Sequence, residues 1–110
     1  MNRARRGDVF VATVSGQQVP VVVVSRDSIN HASPIIVIVP AVLRERLPVI
    51  HYGNLVVLPP GTTSLGDEWV FDCTQVRSLR LDELTAPAGT LPQGVMTKID
   101  SALRTVLQLN

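Results

Sequence analysis

The stretch VSGQQVPVVVVSRD, residues 14–27, decides the fold of this 110-residue chain. A polar turn, residues 15–18, runs through Val19 and Pro20 into four consecutive valines at positions 21–24. Valine is branched at Cβ and favours extended backbone, and a strand that is apolar at every position is typically buried on both faces. The pattern therefore predicts a central strand over residues 19–25, with a polar loop at its start.

Four further strands are predicted by runs of apolar residues between turn signals. They cover residues 9–14, 35–42, 49–58 and 68–79, and Gly53-Asn54 marks a turn or bulge within the third of these runs. Residues 26–33 have the composition of a loop, and residues 81–84 fit one helical turn.

Only the C-terminal segment has helical periodicity. Thr90 is predicted as its cap, and Pro92 is tolerated in the first turn. Apolar residues then recur at i, i+3 and i+4 spacing: Val95, Met96, Ile99, Ala102, Leu103, Val106 and Leu107. Five strands without intervening helices, followed by one helix, predict a mainly β fold: a small, strongly bent antiparallel barrel with the helix packed on it.

Length and composition predict one domain spanning residues 1–110. A formal net charge of +1 lacks the basic excess of a dedicated nucleic-acid binder. Cys73 is the only cysteine, which excludes an intrachain disulfide and a cysteine-based zinc site and favours a reducing compartment. No apolar run approaches the ~18 residues that cross a bilayer, and no signal peptide is apparent. A soluble cytoplasmic protein without a membrane partner is expected.

No set of residues is sufficient for an enzyme by itself. His31 and His51 have no metal-ligand partner at a suitable spacing, so neither a metal site nor a cofactor is expected. Cys73 lies in an apolar strand and is predicted to be a core residue. Tyr52 and Trp69 have rings that stack on bases in some proteins, but core packing is favoured for Trp69.

Two arginine clusters stand out against the low net charge. Arg3, Arg5 and Arg6 lie at the N-terminus, and Arg44 and Arg46 flank Glu45 in a predicted loop. Taken alone, each cluster can be interpreted as arginines that are exposed to solvent and have no binding role. The alternative interpretation is that the arginines bind phosphate.

Five segments in order resemble the MazF/PemK toxin family over essentially the whole chain. They are RRGDVF (5–10), VPVVVVSRD (19–27), IVIVPAV (36–42), CTQVRSL (73–79) and GVMTKIDSALRTVLQL (94–109). The resemblance implies an SH3-like barrel with a C-terminal helix, and a homodimer. It also implies the intracellular toxin of a type II toxin–antitoxin pair, a sequence-selective endoribonuclease acting on single-stranded RNA. The partner would be an antitoxin with an acidic, disordered tail.

The chain departs from that family at two positions. Members typically carry an arginine directly before the proline of the second strand and a threonine two residues beyond the proline of the third. Here those positions are Val19 and Val42. Valine has neither a donor nor a titratable group, so it cannot stabilise or protonate a scissile phosphate.

Three interpretations remain open. In the first, RNA cleavage persists with relocated groups: Gln18, Arg44 and Arg46 as catalytic residues, and Ser15, Gln17, Gln18, Arg44 and Arg46 as RNA contacts. In the second, the chain grips a protein target, as the related CcdB family grips gyrase, although its end, residues 107–110, lacks the aromatic residue of that grip. In the third, it is an inactive relative that dimerises and binds antitoxin.

Overall fold

The computed structural model describes residues 4–47, 53–61 and 68–109. Within them the chain forms seven β-strands, two α-helices and three single 3₁₀ turns. The strands are β1 (Asp8–Val14), β2 (Gln17–Val23), β3 (Ile35–Leu43), β4 (Leu55–Val57), β5 (Trp69–Asp72), β6 (Arg77–Arg80) and β7 (Leu84–Thr90). The helices are α1 (Asp27–Ala32) and α2 (Gln93–Leu107), and the 3₁₀ turns are Arg44–Arg46, Cys73–Gln75 and Leu81–Glu83.

Strand β3 organises the sheet. The strand order is β4-β5-β3-β2-β1-β7, every recorded pairing is antiparallel, and β6 also pairs with β3. The first half of β3 pairs with β6 and its last three residues pair with β5. A bent antiparallel sheet with a C-terminal helix confirms the predicted SH3-like, mainly β fold, although the strand pairing among the described residues does not close into a ring.

Two apolar clusters fill the space on either side of the sheet. Side chains alternate between the faces of a strand, so Val22 joins the cluster beneath α2 while Val21 and Val23 join the opposite cluster. In β3, Val39 likewise joins the cluster beneath α2, and Ile38 joins the opposite cluster. The continuous valine run of β2 is therefore explained by burial on both faces, as predicted.

Both faces of the central strands are covered within one chain. The side chains of Val21, Val22, Val23, Ile36, Ile38 and Val39 are all 0% exposed. A second subunit is consequently not needed to cover β2 and β3. Large apolar side chains are exposed elsewhere: Ile29, Ile35, Val57, Leu107 and Leu109.

Several local predictions were wrong. Residues 27–32, predicted as loop, form helix α1, and residues 84–90 form strand β7, which was not predicted. Thr90 ends β7, donating its hydroxyl to Asp8 at 3.1 Å, and Pro92 occupies the N-cap position of α2. The fifth predicted strand is divided into β5 and β6 by the 3₁₀ turn at Cys73–Gln75. Residues 49–52, which begin the fourth predicted strand (49–58), lie outside the described residues.

Arg6 joins the N-terminal segment to the rest of the fold. Its guanidinium forms an ion pair with Asp100 of α2, and its Nε donates to the carbonyl of Val24 at 3.0 Å. Its backbone N–H donates to Asp27 at 2.7 Å, which is the main reason that the pKa of the Asp27 carboxyl lies below its usual range. These contacts give Arg6 a structural role, and Arg3 of the same cluster lies outside the described residues.

Candidate functional site

A groove opens where β2 begins and β3 ends. Its volume is about 240 Å³, and it is lined by Gln17, Gln18, Val19, Ala41, Val42, Leu43, Arg46 and Trp69. Val21 pairs with Pro40 across the two strands, and continuing this register by two residues places Val19 opposite Val42. The two positions at which the chain departs from the MazF/PemK pattern therefore meet in one groove. Both valines are half-buried.

The polar turn before β2 forms one rim. Ser15 and Gly16 link β1 to β2 with φ angles of 51° and 79°. Positive φ at both central residues is the type I′ geometry whose twist matches a two-residue hairpin, and Gly16 adopts it without a steric cost. Ser15, Gln17 and Gln18 are all exposed on this rim. The structure thus brings the three predicted polar contacts together.

Gln18 is held by two threonines. Its Nε2 donates to the hydroxyl of Thr13, directly across the hairpin, and its Oε1 accepts from the hydroxyl of Thr85 at 3.1 Å. Thr85 shares its single hydroxyl proton between Gln18 and the carbonyl of Val11, which is the nearer acceptor at 2.9 Å. The amide is therefore fixed in orientation, which suits a group that positions a ligand. Thr85 lies in β7 and was not predicted as part of the site.

The two predicted arginines diverge. Arg46 lines the groove with the valines, whereas Arg44 lines a neighbouring hollow of about 440 Å³ together with Leu43, Glu45 and Glu68. Arg44 forms an exposed ion pair with Glu68 at 3.8 Å. Arg46 forms no ion pair with any described residue. Its positive charge is thus the one left uncompensated among the groove-lining side chains that the structure describes.

Arg77 is a further cation beside this site that sequence reasoning missed. It lies in β6, opposite Ile38 of β3, and its Nη1 donates to the hydroxyl of Ser15 at 3.4 Å. It is exposed, and no acidic group among the described residues pairs with it. The CTQVRSL segment was noted for its resemblance alone, because only the pairing of β6 with β3 brings residue 77 to the hairpin turn.

Trp69 forms another wall of the groove. The residue is half-buried and packs against the apolar cluster beneath α2, as predicted for a core tryptophan. Its indole Nε1 is buried and has no hydrogen-bond partner in the part of the chain that the structure describes. Trp69 is thus both a packing residue and a groove residue.

None of the other candidate residues that the structure describes forms a functional site. Cys73 is fully buried, and burial raises the pKa of its thiol to about 11, so the thiol stays protonated and inert near neutrality. His31 is exposed at the end of α1, and His51 and Tyr52 lie outside the described residues. The described residues contain no cluster of acidic, histidine or cysteine side chains suited to a metal ion. No described helix has the length and apolarity to cross a membrane.

The groove has the chemistry of a phosphate-binding surface with apolar walls. An uncompensated guanidinium attracts phosphate, amides on the rim donate and accept at base edges, and the valines and leucine offer no polar group. Such groups suit contacts with phosphates and base edges. The absence of polar groups at positions 19 and 42 leaves its centre without a general acid or base.

Known proteins share the sequence pattern and the fold of this chain. The sequence profile of PemK-like, MazF-like toxins of type II toxin–antitoxin systems matches residues 5–107. Two mycobacterial proteins, Endoribonuclease MazF2 of Mycobacterium bovis and Endoribonuclease MazF6 of Mycobacterium tuberculosis, are each 32% identical over 90 residues. The match covers 82% of this chain and 78% of either relative.

Solved structures share the fold. An endoribonuclease from a mycobacterial species in complex with its cognate antitoxin superposes with a TM-score of 0.82 at 23% identity, over 97% of both chains. A second mycobacterial endoribonuclease gives a TM-score of 0.80 at 25% identity, over 99% of this chain and 95% of its own. The MazE–MazF complex of Deinococcus radiodurans gives 0.80 at 20% identity over the full length of both chains.

Proposed function

The chain belongs to the PemK-like, MazF-like toxins of type II toxin–antitoxin systems, and from this we propose that it is a toxin that cleaves single-stranded RNA. Relatives at 32% identity are named endoribonucleases. The observation that carries the proposal is the groove between β2 and β3, which joins Val19 and Val42 to an uncompensated Arg46 and an exposed amide rim.

We propose that different groove residues contact different parts of the RNA. Arg46 contacts phosphate from within the groove, and Arg44 supplies further charge from the neighbouring hollow. Gln17 and Ser15 contact bases or phosphates from the rim, and Gln18, fixed by its threonines, presents a preset amide. With valines at the centre, Arg46, Arg44 and Gln18 are the proposed catalytic groups.

The two arginines are expected to contribute unequally to RNA binding. Arg46→Gln should weaken binding of a single-stranded RNA oligonucleotide by about 10-fold and reduce the slope of log affinity against log salt by about 0.7, as for one lost phosphate contact. Arg44→Gln should have a smaller effect, because its charge is shared with Glu68. Fluorescence anisotropy across a salt series measures both quantities.

Arg26→Gln is the matched control for charge. Arg26 is an exposed arginine beyond the far end of β2, next to α1, and it forms no ion pair with a described residue. The Arg26→Gln substitution should leave the RNA affinity and the slope of log affinity against log salt at the values of the parent protein. If Arg46→Gln behaves like Arg26→Gln, phosphate does not bind in this groove.

A non-cleaving relative that binds only antitoxin is the second candidate function. The valines at positions 19 and 42 favour it, because neither offers a group that acts on a phosphate. The endoribonuclease names of the 32%-identical relatives weigh against it.

We further propose a homodimer built on barrel strands and the C-terminal helix. Its support is the family, together with the exposed Leu107 and Leu109 at the end of α2. Sedimentation at micromolar concentration should show a species of about twice the 11.9 kDa chain. A single species near the chain mass would contradict the dimer.

The proposed antitoxin binds with an acidic tail laid across the groove. A disordered tail folds on binding, and Arg46, Arg44 and Arg77 provide the opposite charge. Its affinity should fall as salt rises from low to physiological concentration and beyond, as titration calorimetry would measure. An affinity that does not change with salt would rule out this electrostatic account. RNA and antitoxin would meet the toxin in the cytoplasm.

A further inference from the structure

Arg77 carries a charge that no acidic group among the described residues compensates. The residue is exposed at the start of β6, and none of the ion pairs in that part of the chain includes it. Its Nη1 donates to the hydroxyl of Ser15 at 3.4 Å. Ser15 lies two residues before Gln17, which lines the groove, so the guanidinium is held beside the rim of the groove.

Arg77 also shares a face of the sheet with the two valines of the groove. Residues opposite one another in an antiparallel pair point to the same face, and the face alternates along each strand. Arg77 lies opposite Ile38 of β3, so it points to the same face as Val42. Val19, which the register of β2 and β3 places opposite Val42, points to this face too. Ile38 and Val42 are separated by about 13 Å of extended strand.

We propose that Arg77 and Ser15 bind an RNA phosphate beside the groove, a different phosphate from the one at Arg46. The inference rests on the proposed function and adds a second phosphate-binding position to it. The RNA strand would cross the groove at the two valines and continue over the turn between β1 and β2.

The pair has the donors that a phosphate requires. The oxygen of Ser15 accepts from Arg77, so its own O–H proton remains available to donate, and the guanidinium has further N–H groups besides the one in this contact. Hydrogen bonds between a guanidinium and phosphate oxygens are charge-assisted and stronger than neutral ones. A neutral ligand would leave the charge of Arg77 without a partner.

The backbone of Ser15 supports a role for its hydroxyl. Its φ angle of 51° lies in the left-handed region, which glycine and asparagine adopt at a lower cost than serine. Serine is therefore not the most favourable residue for this turn. What it adds is the hydroxyl that contacts Arg77.

Arg77→Gln removes the charge of an exposed side chain and should leave the fold intact. Affinity for a single-stranded oligonucleotide with 2′-O-methyl sugars, which is not cleaved, should fall about 5-fold, and the slope of log affinity against log salt should fall by about 0.7. The melting temperature should change by no more than about 3 °C. Arg77→Lys keeps the charge and should retain the slope of the parent protein. Arg26→Gln is again the control and should change neither affinity nor slope.

A scan of the RNA backbone locates the phosphate. Single methylphosphonate linkages remove the charge of one phosphate at a time, and each modified oligonucleotide is bound to the parent protein, to Arg77→Gln and to Arg46→Gln. At one linkage Arg77→Gln should cost no further affinity, because the charge that it contacts is already absent. Arg46→Gln should behave in this way at a different linkage. An undiminished effect of Arg77→Gln at every linkage, or the same linkage for both arginines, would overturn the proposal.

Ser15→Gly tests the hydroxyl without straining the turn, since glycine adopts a positive φ freely. It should lower RNA affinity about 3-fold in the parent protein and have no further effect in Arg77→Gln, because the two residues bind one phosphate. Equal effects in both backgrounds would show that Ser15 acts independently of Arg77 and would overturn the pair.

Failure of the wider function gives a different result. If the parent protein binds none of the oligonucleotides, RNA is not the ligand, and both proposals fall together. If the parent protein binds RNA and Arg77→Gln behaves like Arg26→Gln, only the assignment of Arg77 falls. A loss of affinity for a polyglutamate peptide with unchanged RNA binding would also overturn it, and would assign Arg77 to the proposed antitoxin alone.

Discussion

Replacing Val19 by arginine and Val42 by threonine together is expected to raise cleavage of single-stranded RNA by about 10²-fold or more. The two side chains meet across β2 and β3 and line one groove with Arg46. An arginine at position 19 would place a permanent charge beside a bound phosphate, and a threonine at position 42 would add a hydroxyl that donates to it. Single-turnover cleavage of a labelled oligonucleotide measures the gain.

The fold should accept both changes. Val19 of β2 and Val42 of β3 are half-buried, unlike Val21 and Val22 of β2, which are fully buried. The stem of an arginine at position 19 can lie against the apolar cluster that Val19 now contacts, while its charged end reaches the groove. Valine and threonine have nearly the same shape, and the hydroxyl at position 42 would lie at the edge of the groove.

Val19→Met is the matched control, because it lengthens the side chain without adding charge. It should leave the cleavage rate close to that of the parent protein. If the parent already cleaves at the rate of the double variant, catalysis has moved to other groups, and single changes at Gln18, Arg44 and Arg46 would locate it. A well-folded double variant that still cleaves nothing would contradict the ribonuclease proposal.

Asn30→Ala is expected to lower the free energy of unfolding by about 3 kcal/mol, a large fraction of the stability of a domain this size. Asn30 is 0% exposed in α1, and its Nδ2 donates to the carbonyl of Ser25 at 2.7 Å. Its Oδ1 accepts from the hydroxyl of Ser25, whose oxygen accepts from the backbone N–H of Val37 at 3.1 Å. The truncation leaves a buried carbonyl without its donor and opens a cavity. Urea denaturation followed by circular dichroism measures the change.

Ser28→Ala provides the comparison for Asn30. Ser28 lies in the same six-residue helix but is exposed. Its removal should change the free energy of unfolding by no more than about 0.5 kcal/mol. Equal effects of the two substitutions would mean that the Asn30 network does not hold α1 to the sheet.

Helix α1 shows why part of the fold could not be predicted. Residues 26–33 are rich in polar residues, and six residues are too few to display helical periodicity. The helix is held by the buried amide of Asn30, a tertiary contact that composition does not reveal. The central strands were predicted because β-branched residues without interruption have few alternatives to a buried strand.

Strand β7 was missed for a different reason. Its sequence, LTAPAGT, contains Pro87 and Gly89, which normally indicate a loop. The strand lies at the edge of the sheet, where proline is tolerated, and its pairing with β1 includes two irregularities of register. Whether such a segment forms a strand depends on the neighbouring strand with which it pairs, here β1.

The candidate site was predictable only where neighbours in sequence are neighbours in space. Gln17, Gln18 and Val19 follow one another, and the family pattern brought Val42 to the same place. Three other strands bring further residues to the groove or its rim: Trp69, Arg77 and Thr85. No local sequence pattern predicts that these residues belong to the site. The separation of Arg44 from Arg46 likewise depends on the 3₁₀ turn that contains both.

The two apolar clusters that cover both faces of β2 and β3 affect how long the protein should persist in the cell. Since the buried strands find their apolar neighbours in the same chain, loss of the proposed antitoxin tail would leave the interior closed. Proteases act on chain segments that open, so a disordered tail is degraded readily while a closed domain is cut only as often as it unfolds. The two molecules would then have unequal lifetimes, and a halt in synthesis would leave this chain as the survivor.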